Sequence, residues 1–399
     1  MLFLGVASTI LGIAYALMEV NIKRLLAYSS VENIGIIITG IGLSIIGKAS
    51  GNNVLAAMAF IAAMVHLFNH SIFKVLMFLG AGAVHFSTKT KDMEKLGGLI
   101  KKMPYTAVFF LTGSLAISSI PPFNGFVGEW ILYQSMFLGI NSVNSVISII
   151  LILSTALIAM AGVLAAYSFV KAFGIAFLAL PRTSLAAEAK EVPKPMLLGM
   201  AVLSVMCTVT GLFPQPVIRL IDVLSADVMG LKAYDSLKGV WCFIYYPVEV
   251  KGTNISLLAV VIFGALFISA SVPAVILLKK KAGTRVYGTW DCGYVKLTPK
   301  MQYTATGFSK PLRIVFRGIL RPQRELFVEE GSQPYHIKSA RYVVSTQSII
   351  EKYLYKPIIE NIINFARRTR LLIQTGSIHT YLIYIFIVII LMLVYYAVS

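Results

Sequence analysis

The chain is short of charge: of its 399 residues only 13% are Asp, Glu, Lys or Arg, while 57% are hydrophobic. A soluble domain carries about 25% charged residues. A deficit this deep, with a mean hydropathy of +0.80, excludes an ordinary water-surrounded fold and implies a bilayer. Acidic residues are scarcer still, 17 against 35 basic. Cysteine is nearly absent: Cys207, Cys242 and Cys292 stand far apart and form no CxxC pair. Iron–sulfur and structural zinc sites need clustered thiolates, so neither is supported, and no redox compartment follows from three scattered thiols. The basic n-region of a signal peptide is missing from the first apolar run, 2–18, which therefore reads as a membrane helix.

What is present is a series of apolar segments. A span needs roughly 20 mostly apolar residues. Nine segments qualify: 2–19, 31–47, 56–86, 105–121, 124–140, 146–180, 196–213, 254–278 and 379–398. Backbone groups in lipid must bond internally, so the expected fold is all-α, a polytopic transmembrane helix bundle of about nine spans. Segment 56–86 would make a helix of about 46 Å, longer than the roughly 30 Å hydrocarbon core. It is expected to tilt, bend near Gly80 and Gly82, or project from the membrane. Segments 105–121 and 124–140 are divided by "SSIPPFNG", whose prolines remove helical hydrogen bonds. That string is either a plain tight turn between two spans or a broken backbone at membrane depth beside a pathway.

Basic charge concentrates in 279–377, with 18 Lys/Arg against 6 Asp/Glu. Such a segment is expected to face anionic lipid rather than nucleic acid. Five lysines in the loop 87–104 pull against it, so the orientation in the membrane stays open. Within 336–376 apolar residues recur at helical spacing among basic ones. This reads as an amphipathic helix broken by Pro357, lying on the membrane surface, on a partner or on its own chain.

Ionisable residues inside the apolar segments cost about 2.5–3.5 kcal/mol each on insertion scales. The densest group is "MVHLFNHSIFKVLMFLGAGAVHF", which holds His66, His70, Lys74 and His85. Steps of four residues put the first three on one helix face, and eleven more return His85 to it, a stripe of about 28 Å. Histidine titrates near neutrality and carries two ring nitrogens, and a desolvated lysine releases its proton more readily, so the chemistry fits proton relay. His66 and His70 also have the spacing of zinc ligands, but Leu67 stands where a metalloprotease glutamate would, and no third ligand is near. Helix–helix hydrogen bonding explains one histidine well and four ionisable groups poorly. Lys23 and Glu32 lie between the first two spans, where the plain alternative, which propensity alone favours, is a hydrophilic loop with Ser29 and Ser30 as caps. Glu129 follows the Pro-Pro break, where a helix N-terminal charge is the plain alternative. Lys171 is a further candidate that can instead snorkel to the interface.

The strings "VNIKRLLAYSSVENIGI", "HLFNHSIFKVLMFLGAGAV" and "SSIPPFNGFVGEWILY" together resemble the antiporter-like subunits of respiratory complex I and of membrane-bound hydrogenases. "TWDCGY", "MQYTATGFSKPL" and "TGSIHTYLIYIF" are similar to the hydrogenase branch. The resemblance implies two inverted five-helix repeats, each forming a half-channel, joined by a polar axis near the bilayer midplane. It implies that Lys23 belongs to the helix closing the first repeat, that Lys74 with His66 and His70 is central in the second, that Glu129 takes the distal position, and that Glu32 fits the hydrogenase-like branch. His85 and Lys171 rest on helical phase and position. Relatives have about seven further spans ahead of Leu2, so the chain is expected to hold one intact five-helix half and to be a fragment, a split subunit or a degenerate copy. The expected organisation is 1–30 as the last helix of the first repeat, 31–180 as the second repeat, 181–278 as additional helices, 279–378 as the basic extramembrane segment and 379–399 as a final span.

The leading function is a proton-translocating membrane subunit of a hydrogenase- or NADH dehydrogenase-like complex in the cytoplasmic membrane. Electron transfer would occur in partner subunits, and a separate chain is a candidate to supply the missing repeat. No catalytic centre, cofactor or metal site is expected in this chain. The alternatives are a sodium/proton antiporter subunit, which would need clustered oxygen ligands, and a truncated scaffold that assembles without transport.

Overall fold

In the computed structural model the described residues are 1–230, 237–240, 244–247, 293, 297–330, 337–346, 348, 350–374 and 376–398. They fall into two compact units, Met1–Phe316 and Arg317–Ser399. The first unit opens with α1 (Leu2–Met18), α2 (Ile22–Ala49), α3 (Asn53–Thr88), α4 (Pro104–Ile117), α5 (Asn124–Ser142) and α6 (Ser145–Phe177). The short α7 (Ser184–Ala187), α8 (Lys194–Leu212) and α9 (Gln215–Met229) follow. Among the described residues five helices are long and apolar enough to cross a membrane: α2, α3, α6, α8 and Ile378–Val398 in the second unit; α1 and α4 are shorter apolar helices. The expected span 254–278 lies outside the described residues, as do Cys242, Cys292 and most of "TWDCGY".

Local chemistry sets the helix starts. Asn21 caps α2 by accepting from the backbone N–H of Lys23 and Arg24, Asn52 caps α3 through Leu55 N, and Asn144 caps α6 through Ile147 N. Each such cap is worth about 1 kcal/mol. Pro104 opens α4, where its missing N–H costs nothing. Glu191 caps the same end from a distance, accepting from Tyr105 N at 3.0 Å and Thr106 Oγ1 at 2.5 Å.

Small residues set the helix contacts. Gly5, Thr9 and Gly12 of α1 face Gly35 and Thr39 of α2; a Cβ on Gly12 would lie 2.5 Å from Glu32 N, and one on Gly35 2.5 Å from Thr9 N. Lipid offers no hydrophobic drive between helices, so close backbone approach of this kind holds them. It also fixes Glu32 at the α1–α2 seam.

The helices α4 and α5 are not two spans. Residues of α3 meet them in descending order: Gly80 lies against Phe110, Met77 against Gly113, His66 against Gly128 and Leu55 against Gly139, and Asn69 Nδ2 donates to Asn124 O at 2.8 Å. So α4 and α5 run end to end along α3 as one discontinuous span, interrupted at 118–123 near the midpoint of α3. A plain turn at a membrane surface is thereby excluded. The α3 helix itself runs unbroken through Gly80 and Gly82. Gly80 makes room for the Phe110 ring, 2.8 Å from where a Cβ would stand.

Buried apolar side chains line the bundle along its length, from Leu17, Ile22 and Leu25 at the α1–α2 junction to a cluster at the opposite end. There Leu2, Leu43, Leu55, Met136 and Leu151 pack together, and α9 adds Ile218 and Ile221. Among the described residues two hairpins accompany the helices: β1 (Leu237–Val240) with β2 (Ile244–Pro247), and in the second unit β3 (Gln323–Glu330) with β4 (Ile337–Ser345). The helix expected over 336–376 is therefore corrected. Its first part is β4, with Tyr342 opposite Leu326 and Arg341 opposite Phe327. The alternation of charged or small with β-branched and aromatic residues there satisfies a period of two as well as one of 3.6. Pro357 does not break the second part. A π-helical turn over Glu351–Tyr355 leads directly into Lys356–Ile373, and such a widened turn absorbs the hydrogen bond that proline removes. Tyr384 of the final helix donates to Ile373 O at 3.2 Å.

Gly12→Leu forces a side chain into the α2 backbone. Overpacking costs about 1–3 kcal/mol, which lowers the Tm of the detergent-solubilised chain by several degrees; an unchanged Tm would contradict the close α1–α2 contact.

Candidate functional site

The polar interior is built where α2, α3 and the α4–α5 break meet. Lys74 on α3 is 5% exposed. Its Nζ donates to Leu26 O at 3.0 Å and to Ser29 Oγ at 2.5 Å on α2. Ser29 and Ser30 are thus not caps of a loop. They lie inside α2, which begins at Ile22, and both hydroxyls donate to Leu26 O. Further along the same two helices, His66 Nε2 pairs with Asn33 Oδ1 at 3.1 Å. Gly128 of α5 stands beside His66, where a Cβ would meet the imidazole. Asn69 bonds the break at Asn124, and His70 packs edge-on to Phe73, 5.5 Å between ring centroids.

Glu32 and Glu129 complete the group. Glu32 is buried on α2, and Lys74 and Glu129 are the charges acting on it. Glu129 is buried on α5, five residues past Asn124 in the second half of the broken span. Its Oε1 accepts from Ser119 Oγ at 2.6 Å, and its Oε2 faces Gly162 of α6. Ser119 reaches it from the break, with a φ of 51°. Helix α8 packs against one side of the break: a Cβ on its Gly211 would lie 2.6 Å from Asn124 N. Irregular backbone at membrane depth is tolerated in such a setting.

These groups share one more property. Glu32 Oε2, His66 Nδ1, Asn69 Oδ1, His70 Nε2 and both side-chain polar atoms of Asn124 are shielded from solvent yet find no hydrogen-bond partner among the described residues. An orphaned buried polar atom costs about 1–3 kcal/mol. What sets these six apart is that they cluster on facing elements instead of being scattered through the fold.

Other sequence candidates fall elsewhere. His85 is partly exposed at the C-terminal end of α3, facing the charges of Lys91, Lys23 and Lys89. Lys23 sits in the first turn of α2, half-buried. The stripe read from helical phase therefore divides into an interior part, buried His66 and Lys74 with half-buried His70 between them, and a rim. Around that rim Arg182 donates to Leu96 O at 2.8 Å and Tyr303 O at 2.7 Å. Burial pulls its guanidinium below its ordinary pKa, and the Glu94 carboxylate works against that. Lys171 is 1% exposed and does not snorkel; its amine is held at the end of α1. Among the described residues no three His, Cys, Asp or Glu side chains come together as metal ligands. Asn33, Asn124 and Ser119 were not singled out by sequence. Their signal is a polar side chain inside an apolar segment, weaker than a charge because amides and hydroxyls are common helix–helix partners.

Residues 1–159 match the family model described as NADH:quinone oxidoreductase/Mrp antiporter, TM. The chain is 32% identical to hydrogenase-4 component B of Escherichia coli (strain K12), over 99% of this chain and 58% of that protein. It is 35% identical to formate hydrogenlyase subunit 3 of the same organism, over 82% of this chain and 51% of that protein. It thus spans a little over half the length of these relatives. A chain in the structure of the membrane-bound sulfane sulfur reductase, an archaeal respiratory membrane complex, aligns with a TM-score of 0.66 at 21% identity, covering 98% of this chain and 55% of that one; this is a likeness of fold.

Asn33→Leu removes the partner of His66 Nε2. The orphaned nitrogen costs about 1–3 kcal/mol, to be read as a lower midpoint of chemical denaturation in micelles; a wild-type midpoint would show that the contact carries no weight.

Proposed function

This chain belongs to the family of antiporter-like membrane subunits found in complex I, Mrp antiporters and membrane-bound hydrogenases, and on that premise we propose that it moves protons within a hydrogenase- or complex I-like assembly of the cytoplasmic membrane. Helices α2 to α6 form one half-channel. Lys74 is the central group that gains and loses the proton. Glu32 is its electrostatic partner, His66 and His70 carry protons along α3, and Glu129 is the distal group beside the break. Lys23 and His85 stand where the route meets the rim. Electron transfer occurs in other subunits, and its energy reaches this chain as a change in the charge of a neighbouring group.

The observation that carries this reading is the row of buried polar atoms lacking protein partners on α2, α3 and the break. Lys74, Glu32, Glu129 and His66 withdrawn from water, with His70 half-buried beside them, are costly unless they are used. Imidazole accepts on one nitrogen while donating on the other, and His66 is held by one nitrogen with the other free. Lys74 is held by two acceptors, which an amine and an ammonium can both satisfy, so its proton can leave without dismantling the site. The broken helix brings the Ser119 hydroxyl to Glu129, and discontinuous helices of this kind form the binding sites of many transporters.

Lys74→Ala in the assembled complex, reconstituted in proteoliposomes, is expected to reduce proton flux to the background of inactive vesicles while electron transfer remains measurable. Flux at the wild-type rate would remove Lys74 from the route. Exchanging Na⁺ for K⁺ in the same assay separates proton from sodium transport: the proton reading predicts no change, and loss of flux would favour the sodium/proton antiporter.

A further inference from the structure

Lys171 lies apart from the α2–α3–break cluster, and its surroundings differ in kind. Its Nζ donates to Leu17 O at 2.5 Å, to Glu19 O at 2.9 Å and to Ser309 Oγ at 3.3 Å. Ser309 Oγ in turn donates to Leu17 O at 2.7 Å. An ammonium has three N–H donors and no lone pair, whereas a neutral amine has two donors and a lone pair. Three oxygens around Nζ match the ammonium, and an amine would turn its lone pair on one of them. The site is also the C-terminal end of α1, where backbone carbonyls lack helical partners and the macrodipole is negative. The last turn of α1 supplies no cation of its own. Glu19, Glu94 and Arg313 are the charges facing Lys171.

Ser309 ends a segment, 302–309, that is tied to the rest of the bundle at five of its eight residues. Gln302 makes two bonds with Leu180, Nε2 to O and Oε1 from N, both at 2.9 Å. Tyr303 O accepts from Arg182, Thr306 N donates to Glu94 Oε1 at 2.7 Å, and Phe308 O accepts from Tyr167 Oη at 2.6 Å. The Tyr167 and Phe308 rings lie 4.5 Å apart. Glu94 follows the stretch that pairs with the α1–α2 junction, through Met93 N to Val20 O at 2.9 Å and Ile22 N to Lys91 O at 3.0 Å. The end of α1, the junction, the loop after α3 and residues 302–309 thus form one closed ring of hydrogen bonds.

We propose that Lys171 stays protonated as the buckle of a strap, residues 302–309, which binds the end of α1 to α6 and holds the α1–α2 junction in place, and that it carries no transported proton. It is a positioning residue. Residues 302–309 come from the "MQYTATGFSKPL" string, which gives that string a physical task. The proposal separates two buried lysines that look alike in sequence: one with two acceptors in a cluster with orphaned atoms, one with three in a sealed cage.

The test compares Lys171→Arg, Lys171→Met, Ser309→Ala and Lys74→Met in the full chain. Amide hydrogen exchange is followed at 302–309 and 17–22, and proton flux in the assembled complex. Arginine cannot give up its proton, so it serves as a buckle but not as a relay. Lys171→Met and Ser309→Ala are expected to speed exchange at both segments by about tenfold or more, equivalent to about 1.4 kcal/mol; Lys74→Met leaves it unchanged. Lys171→Arg is expected to keep slow exchange and to retain flux. Wild-type exchange in Lys171→Met would overturn the strap, and slow exchange with abolished flux in Lys171→Arg would return Lys171 to the proton route. If arginine does not fit and its strap opens, Ser309→Ala decides, with wild-type exchange counting against the proposal. Exchange is read without a transport assay, so the strap and the proton route fail separately.

Discussion

The bond from Lys74 on α3 to Leu26 O and Ser29 Oγ on α2 is the interaction on which the rest of the site depends. It brings an amine into a layer where the surrounding medium offers nothing, so the helices themselves must supply its acceptors. That requirement sets the register of α2 against α3. The same register places Asn33 opposite His66 and leaves Glu32 at the seam with α1, where glycine permits the backbones to touch. Moving α2 by one turn would separate all three pairs at once.

The second constraint is the break between α4 and α5. It lies at the middle of α3 and not at a membrane surface, which turns a pair of proline residues from a turn signal into part of the site. Ser119 lies within it and Asn124 follows it, one bonded to Glu129 and the other to Asn69. Away from the break, one end holds an apolar cluster that α9 helps to cover. The other joins buried apolar side chains to a ring of hydrogen bonds among loops, with Lys171 at its centre. Between them lies the layer of titratable groups, which is where a charge displaced on one helix is felt by another.

Much of this was legible in the sequence, for particular reasons. Lysine, histidine and glutamate within apolar runs are conspicuous because hydrocarbon makes them costly, so Lys74, His66, His70, Glu32 and Glu129 stood out, and helical phase put the first three on one face. Phase alone could not say where the helix leaves the interior, so His85 seemed continuous with Lys74 although it belongs to the rim. Hydropathy places the start of α2 too late because Lys23 and Arg24 dilute its first turns. The cap is Asn21, not the serines. Spacing also could not reveal that α4 and α5 stack along one partner, since this follows from contacts with α3. Over 337–345 two periodicities fitted the same residues, and pairing with 323–330 decided between them.

The central claim is that the orphaned polar atoms on α2, α3 and the break belong to one hydrated route. A density map of the chain within its complex, at a resolution that shows ordered solvent, tests this directly. The account predicts water within hydrogen-bonding distance of Glu32 Oε2, His66 Nδ1, Asn69 Oδ1 and His70 Nε2, forming a connected file from Glu129 to Lys74. A dry interior, with those atoms closed off by apolar side chains or by direct protein bonds, would contradict it.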